Sequence, residues 1–117
     1  MNRYHPFHDR AAAKQWFWYC HLADHLARHP EKIERCKQNL ARMRESNPWG
    51  KLFHDRWERL LEGPLDALLE AMKDPSSEMC DLRQESPFCG IISQKERLRI
   101  FMSFEDEFEA MRKRVLG

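Results

Sequence analysis

Gln15–His29 reads QWFWYCHLADHLARH, and the fold is decided by how this stretch is laid out. Trp16, Phe17, Trp18 and Tyr19 stand in a row, and His21, His25 and His29 then recur at every fourth position. Apolar groups return at three- and four-residue steps, which is helical periodicity rather than the alternation of a strand. On an α-helix each residue turns by about 100°, so four in succession sweep about 300° and cannot share one face. Trp16, Cys20, Ala23 and Ala27 then form one stripe, flanked by Tyr19, Leu22 and Leu26. Phe17 and Trp18 are left pointing elsewhere.

The same period runs through the rest of the chain. Asp9 is a plausible N-cap for the first helix, which runs to about Arg28. His29-Pro30 interrupts it, and proline suits the first turn of a new helix because its missing N–H has no partner there anyway. Ile33, Cys36, Leu40 and Met43 predict a second helix to about Glu45. Asn47 and Pro48 open a third, with Leu52, Phe53, Trp57, Leu60 and Leu61 as its apolar residues and Gly63 as its stop. Pro64 opens a fourth, with Leu65, Leu68, Leu69 and Met72 inward. Ser77 to Glu85 is a short fifth helix. Pro87 and Gly90 then force a loop. Ser93 and Glu96 spell a capping box for a long final helix to about Arg114. Cys89–Ile92 is the one β-like fragment, and it is too short to build a sheet. The expectation is an all-α fold, a single compact bundle of five to six helices over residues 1–117. Residues 1–8 form an N-terminal arm, and the last helix packs across Trp16–Arg28.

Composition narrows the function classes. Twenty basic against nineteen acidic residues give a net charge of +1, so global charge favours neither nucleic acid nor membrane. No apolar run approaches the roughly 20 residues of a spanning helix, and the N-terminus has no apolar signal region. Cys20, Cys36, Cys80 and Cys89 are widely spaced with no C-x-x-C pair, which suits reduced thiols in a cytoplasmic protein. With four glycines there is no phosphate-cradling loop, and no nucleophile has a base placed beside it by spacing. The chain is therefore read as non-enzymatic and without a cofactor.

His21 and His25, at i and i+4, are the only weak metal candidates. HLADH, His21–His25, imitates the H-x-x-E-H zinc-protease pattern, but Asp24 replaces glutamate and spacing fixes no third ligand. The plainer reading is a solvated polar face, and no metal is expected.

Two apolar helices exceed what a small bundle needs. Phe101, Phe104, Phe108, Met111 and Val115 recur as a heptad seam, preceded by Leu98. Ile100 and Met102 lie off that seam. With the first helix, this points to an apolar surface that binds a protein partner or a second copy. Its expected residues are Trp16, Phe17, Trp18, Tyr19, Phe104, Phe108, Met111 and Val115. The plainer reading is that the terminal segments of the chain cover these groups themselves. The second helix carries a basic stripe, Arg28, Lys32, Arg35 and Arg42, with Asn39 in line. As a solvated face it would pair Glu31 with Arg35. As a site it would take an acidic protein or a phosphate backbone, so a nucleic-acid-binding regulator is the alternative function.

LRQESPFCGIISQKERLRI, Leu82–Ile100, resembles a segment of small bacterial all-helical proteins with the pattern L-R-[QS]-x-S-P-F-[small]-G-[VI]-[LI]-[ST]-x-x-E-R. HPEKIERCKQNLARM (His29–Met43) and the Trp57–Met72 stretch resemble the helices that precede it there. The aromatic first helix and the residues after Phe104 fall outside the resemblance. It implies a helical fold in which Phe88 is a core anchor, Gly90 a turn and Ser93/Glu96 a helix cap. It also implies a role as the neutralising member of a toxin–antitoxin-like pair.

Overall fold

The helices start and stop where local chemistry dictates. The structure, a computed structural model, describes residues 10–116, apart from the side chains of 111, 112 and 114–116. The helices are α1 (Arg10–Arg28), α2 (Ile33–Ser46), α3 (Lys51–Glu62), α4 (Leu65–Lys73), α5 (Ser77–Leu82) and α6 (Gln94–Leu116). No strand occurs among the described residues. Pro30 and Pro48 each open a single 3-10 turn, Pro30–Lys32 and Pro48–Gly50, before the next helix. Ser76 caps α5 by accepting from the Met79 N–H at 3.3 Å, and Ser93 caps α6 by accepting from the Glu96 N–H at 3.2 Å. Gly90 has φ +81°, a left-handed turn position that favours glycine. The expected Asp9 cap and the arm 1–8 lie outside the described residues.

The core has two parts, and α1 serves both. Tyr19, Leu22, Ala23 and Leu26 pack against α2, α3, α4, α5 and the loop that follows α5. At its heart Trp57 stands edge-on to Phe88 with centroids 5.1 Å apart. Tyr19 is also edge-on to Phe88, at 5.5 Å. The Trp57 indole N–H donates to the Leu82 carbonyl at 3.1 Å, so the buried ring leaves no polar atom stranded. Removing a side chain the size of Phe88 from water is worth about 1.5–3 kcal/mol. The smaller cluster joins Ala13 and Phe17 of α1 to Ile100 and Phe104 of α6.

Several expectations are corrected by this packing. The buried stripe of α1 is Ala13, Phe17, Tyr19, Leu22, Ala23 and Leu26, whereas Trp16 and Cys20 are half-buried and Ala27 is exposed. Phe17 is therefore interior, because α6 covers the face it occupies. α6 lies on the first half of α1, not along Trp16–Arg28, and Ile100 belongs to its buried face while Leu98 is 54% exposed. In α3 the inward face is His54, Trp57 and Leu61, which turns Leu52 and Phe53 outward.

Candidate functional site

The residues expected to form an apolar interface divide when placed in the fold. Phe17, Tyr19 and Phe104 are buried within the chain and cannot anchor a partner. Trp16 is half-buried and donates its indole N–H to the Lys73 carbonyl at 2.8 Å, which ties α1 to the end of α4. Trp18, also half-buried, lies against Phe101 with centroids 5.3 Å apart. Phe108 stacks on Phe104 at 5.4 Å. Met111 and Val115 lie outside the described side chains. The WFWY stretch is thus covered mainly by the chain's own helices.

The exposed apolar groups are elsewhere. Trp49 is 90% exposed and Leu52 84% exposed, with Phe53 beside them at 38%. They occupy the corner where the Pro48–Gly50 turn runs into α3. In the sequence NPWG reads as a simple break, and Leu52 and Phe53 read as core. The signal that separates them is spacing. His54, Trp57 and Leu61 sit at i, i+3 and i+7 on the buried face, while Trp49, Leu52 and Phe53 sit at i, i+3 and i+4 on another.

This corner is held firmly from behind. Asn47 donates to the Glu85 carboxylate at 3.1 Å. His54, 1% exposed, has its Nε2 3.6 Å from the other Glu85 oxygen. Gly50 is the closest approach here, since a Cβ at that position would lie 2.9 Å from the His54 ring. Arg44 of α2 reaches across to Asp55 at 2.9 Å and Glu58 at 2.8 Å of α3. Lys51 joins Asp55 at 2.7 Å, and hydrogen bonds from Lys51 and Arg44 hold the Asp55 carboxyl below the usual carboxylate range.

The basic stripe expected on the second helix begins before it, since Arg28 ends α1 and Lys32 lies in the Pro30–Lys32 turn, and it is a loop clamp as much as a surface. Lys32 donates to the Ile91 carbonyl at 2.9 Å and lies 2.7 Å from His25 Nε2. Asn39 is buried, and its amide donates to the carbonyls of Pro87 at 2.9 Å and Cys89 at 2.8 Å. Its oxygen in turn accepts from Arg35 and Arg42. The expected Glu31–Arg35 pair does not form; Glu31 meets His29 at 3.4 Å. Arg28 is exposed. Asn39 was the functional-looking polar residue hardest to place from sequence, because a helix-face pattern does not show that a loop 48 residues later docks onto it.

Among the described residues the histidine face gathers no third metal ligand. No group of three His, Cys, Asp or Glu side chains that could hold a metal occurs among the described residues. His21 lies against the Phe17 ring at 4.7 Å. His25 accepts from the Lys32 ammonium, which occupies Nε2 and sets a cation where a metal would approach. Burial first, then the charge of Lys32, hold the His25 imidazole below its ordinary pKa. The four cysteines are free thiols, and burial pushes that of Cys36 up to about 12, so it is protonated and inert. Cys89 is the exposed one.

Arg83 is the other residue whose role only the fold reveals. It is 1% exposed. Its guanidinium donates to the carbonyls of Met72 and Asp74, closing the C-terminal end of α4, where a cation complements the helix dipole. Comparison of the chain with protein-family models, with curated proteins and with solved structures finds no match.

Proposed function

We propose that this protein is a non-catalytic protein-binding regulator that docks its partner on the apolar corner of Trp49, Leu52 and Phe53. The observation that carries the reading is the exposure of Trp49 and Leu52 side by side on a braced turn. Tryptophan is the residue type most enriched among interface hot spots. A corner fixed by the Asn47–Glu85 and Arg44–Asp55 contacts is already ordered, which lowers the entropy cost of docking. The resemblance of Leu82–Ile100 to segments of antitoxin-like bacterial proteins suggests a toxin-like partner in the cytoplasm. A second copy of the chain is the other occupant this surface would accept. Nucleic acid is the weaker alternative: Lys32 is spent on the Ile91 carbonyl and on His25, and Arg35 and Arg42 both donate to the Asn39 oxygen.

The test is a double variant, Trp49→Ser with Leu52→Ser, compared with wild type by native co-purification from the host and by light scattering. A partner or dimer present with wild type and lost with the variant is the expected result. The proposal fails if wild type is monomeric and both proteins co-purify with the same set. Steeply salt-dependent retention on DNA, lost on replacing Arg28, Arg35 and Arg42, would favour the alternative.

A further inference from the structure

A cleft of about 640 Å³ opens between the first half of α1, the loop after α5 and the start of α6. That volume lies within the usual range of small-molecule sites, about 300–1,000 Å³. It shares no residue with the Trp49 corner. Trp18, half-buried, supplies the accessible aromatic surface, while Tyr19 and Phe88 are buried at its floor. Among the described residues no Asp or Glu lines it, although 19 of the 117 residues of the chain are acidic. The charged side chains in its described lining are Arg83 and Arg97.

The two arginines are differently committed. Arg83 spends its guanidinium on the end of α4, and no carboxylate pairs with it among the described residues. Arg97 is exposed and rests over two rings, 5.8 Å from the Trp18 centroid and 5.2 Å from that of Phe101. The carboxylate beside it, Glu96, turns to Arg99 at 3.3 Å instead. Arg97 is therefore a cation with no carboxylate partner among the described residues, oriented by aromatic contacts at the edge of a cleft whose described lining carries no acid. Ser93 and Gln94 also border the cleft, which puts the positive end of the 23-residue α6 beside it.

We propose that this cleft binds a small aromatic anion, with its ring beside Trp18 and its anionic group at Arg97. Apolar walls with one or two placed polar groups are how such sites combine affinity with orientation. A guanidinium serves carboxylate and phosphate alike.

The two anion classes can be separated by titrating the full chain with phenylacetate and with adenosine monophosphate. Each is run beside its uncharged counterpart, phenylacetamide or adenosine, and inorganic phosphate is run alone. The readout is the NMR signal of the Trp18 indole N–H, assigned with a Trp18→Phe variant. The expected result is a saturable shift with at least one aromatic anion, and binding about tenfold weaker for its uncharged counterpart. Arg97→Gln should weaken the anion by a similar factor with an unchanged circular dichroism spectrum, since Arg97 is exposed and outside both core clusters. Four outcomes would overturn the proposal: no saturable shift below about 5 mM with any probe, equal affinity for charged and uncharged forms, inorganic phosphate matching the nucleotide, or unaltered binding by Arg97→Gln.

Discussion

Trp16–Tyr19 and Trp49–Phe53 both carry clustered aromatic rings, and the fold treats them in opposite ways. The first sweeps most of the way around α1, yet each of its four rings finds cover. Phe17 meets Phe104, Trp18 meets Phe101, Tyr19 meets Phe88, and Trp16 bonds to the end of α4. The second occupies one side of a turn and a half of helix, and Trp49 and Leu52 stay almost wholly in water. Hydrophobic content does not separate them. What differs is position: α1 runs through the middle of the bundle, while among the described residues the Pro48–Gly50 corner is flanked mainly by its own neighbours α2 and α3. Burial thus follows the position of an element in the fold more than the density of apolar letters within it.

The sharpest way to break this comparison is Phe17→Ala. It empties a ring site shared by α1 and α6 and should cost about 3–5 kcal/mol, as buried Phe truncations do. Chemical denaturation gives the number. A loss below about 1 kcal/mol would show that Phe17 is not sealed by α6, and the WFWY stretch would return as a candidate surface. Amide exchange along α6 sharpens the result, because Ile100 and Phe104 are the buried residues through which that helix joins the smaller cluster.

Next in size is Asn39→Ala. It leaves the carbonyls of Pro87 and Cys89 without their donor. An unpaired buried polar group costs about 1–3 kcal/mol, so a loss in that range is expected by denaturation. Faster modification of the Cys89 thiol should accompany it as the loop loosens. If neither changes, the α2 stripe is an ordinary solvated face.

How much of this was legible beforehand depends on the range of the interactions. The all-α class, the breaks at Pro30, Pro48 and Pro87, the turn at Gly90 and the cap at Ser93 are local chemistry, and local pattern finds them. Phe88 as a core anchor also holds. Which face of α1 or α3 turns inward was not legible. Each helix carries more apolar residues than one stripe can hold, and its neighbours choose among them. Asn39 and Arg83 were missed for the same reason, since their partners are carbonyls of other elements. A polar residue on a helix looks the same in sequence whether it meets water or a docked loop.

The Lys32–His25 contact supplies a smaller, pH-dependent effect on the same clamp. The folded chain holds His25 below its ordinary pKa of 6.5, through burial and the nearby Lys32, His29 and Arg28 charges. The unfolded chain then binds more protons than the folded one as pH falls from the ordinary imidazole value through the lowered one. Stability linked to this group is complete above 6.5 and declines through that window. His25→Gln, which retains an acceptor for Lys32, should flatten the slope measured by denaturation at a series of pH values. An unchanged slope would place the proton uptake on another group.

The last and smallest expected effect completes the comparison from the other side. Trp49→Ser with Leu52→Ser removes more apolar surface than Phe17→Ala, but from groups that are 90% and 84% exposed. Exposed apolar side chains away from packed contacts change stability by no more than about 0.5 kcal/mol, so the denaturation midpoint should hardly move. The bracing behind the corner uses Asn47, Gly50, His54 and Glu85, none of which is altered. A tryptophan whose removal costs no stability but abolishes association is there for the partner. A destabilisation of several kcal/mol would instead mean that Trp49 folds back onto the bundle in solution, and the two aromatic stretches would then obey one rule.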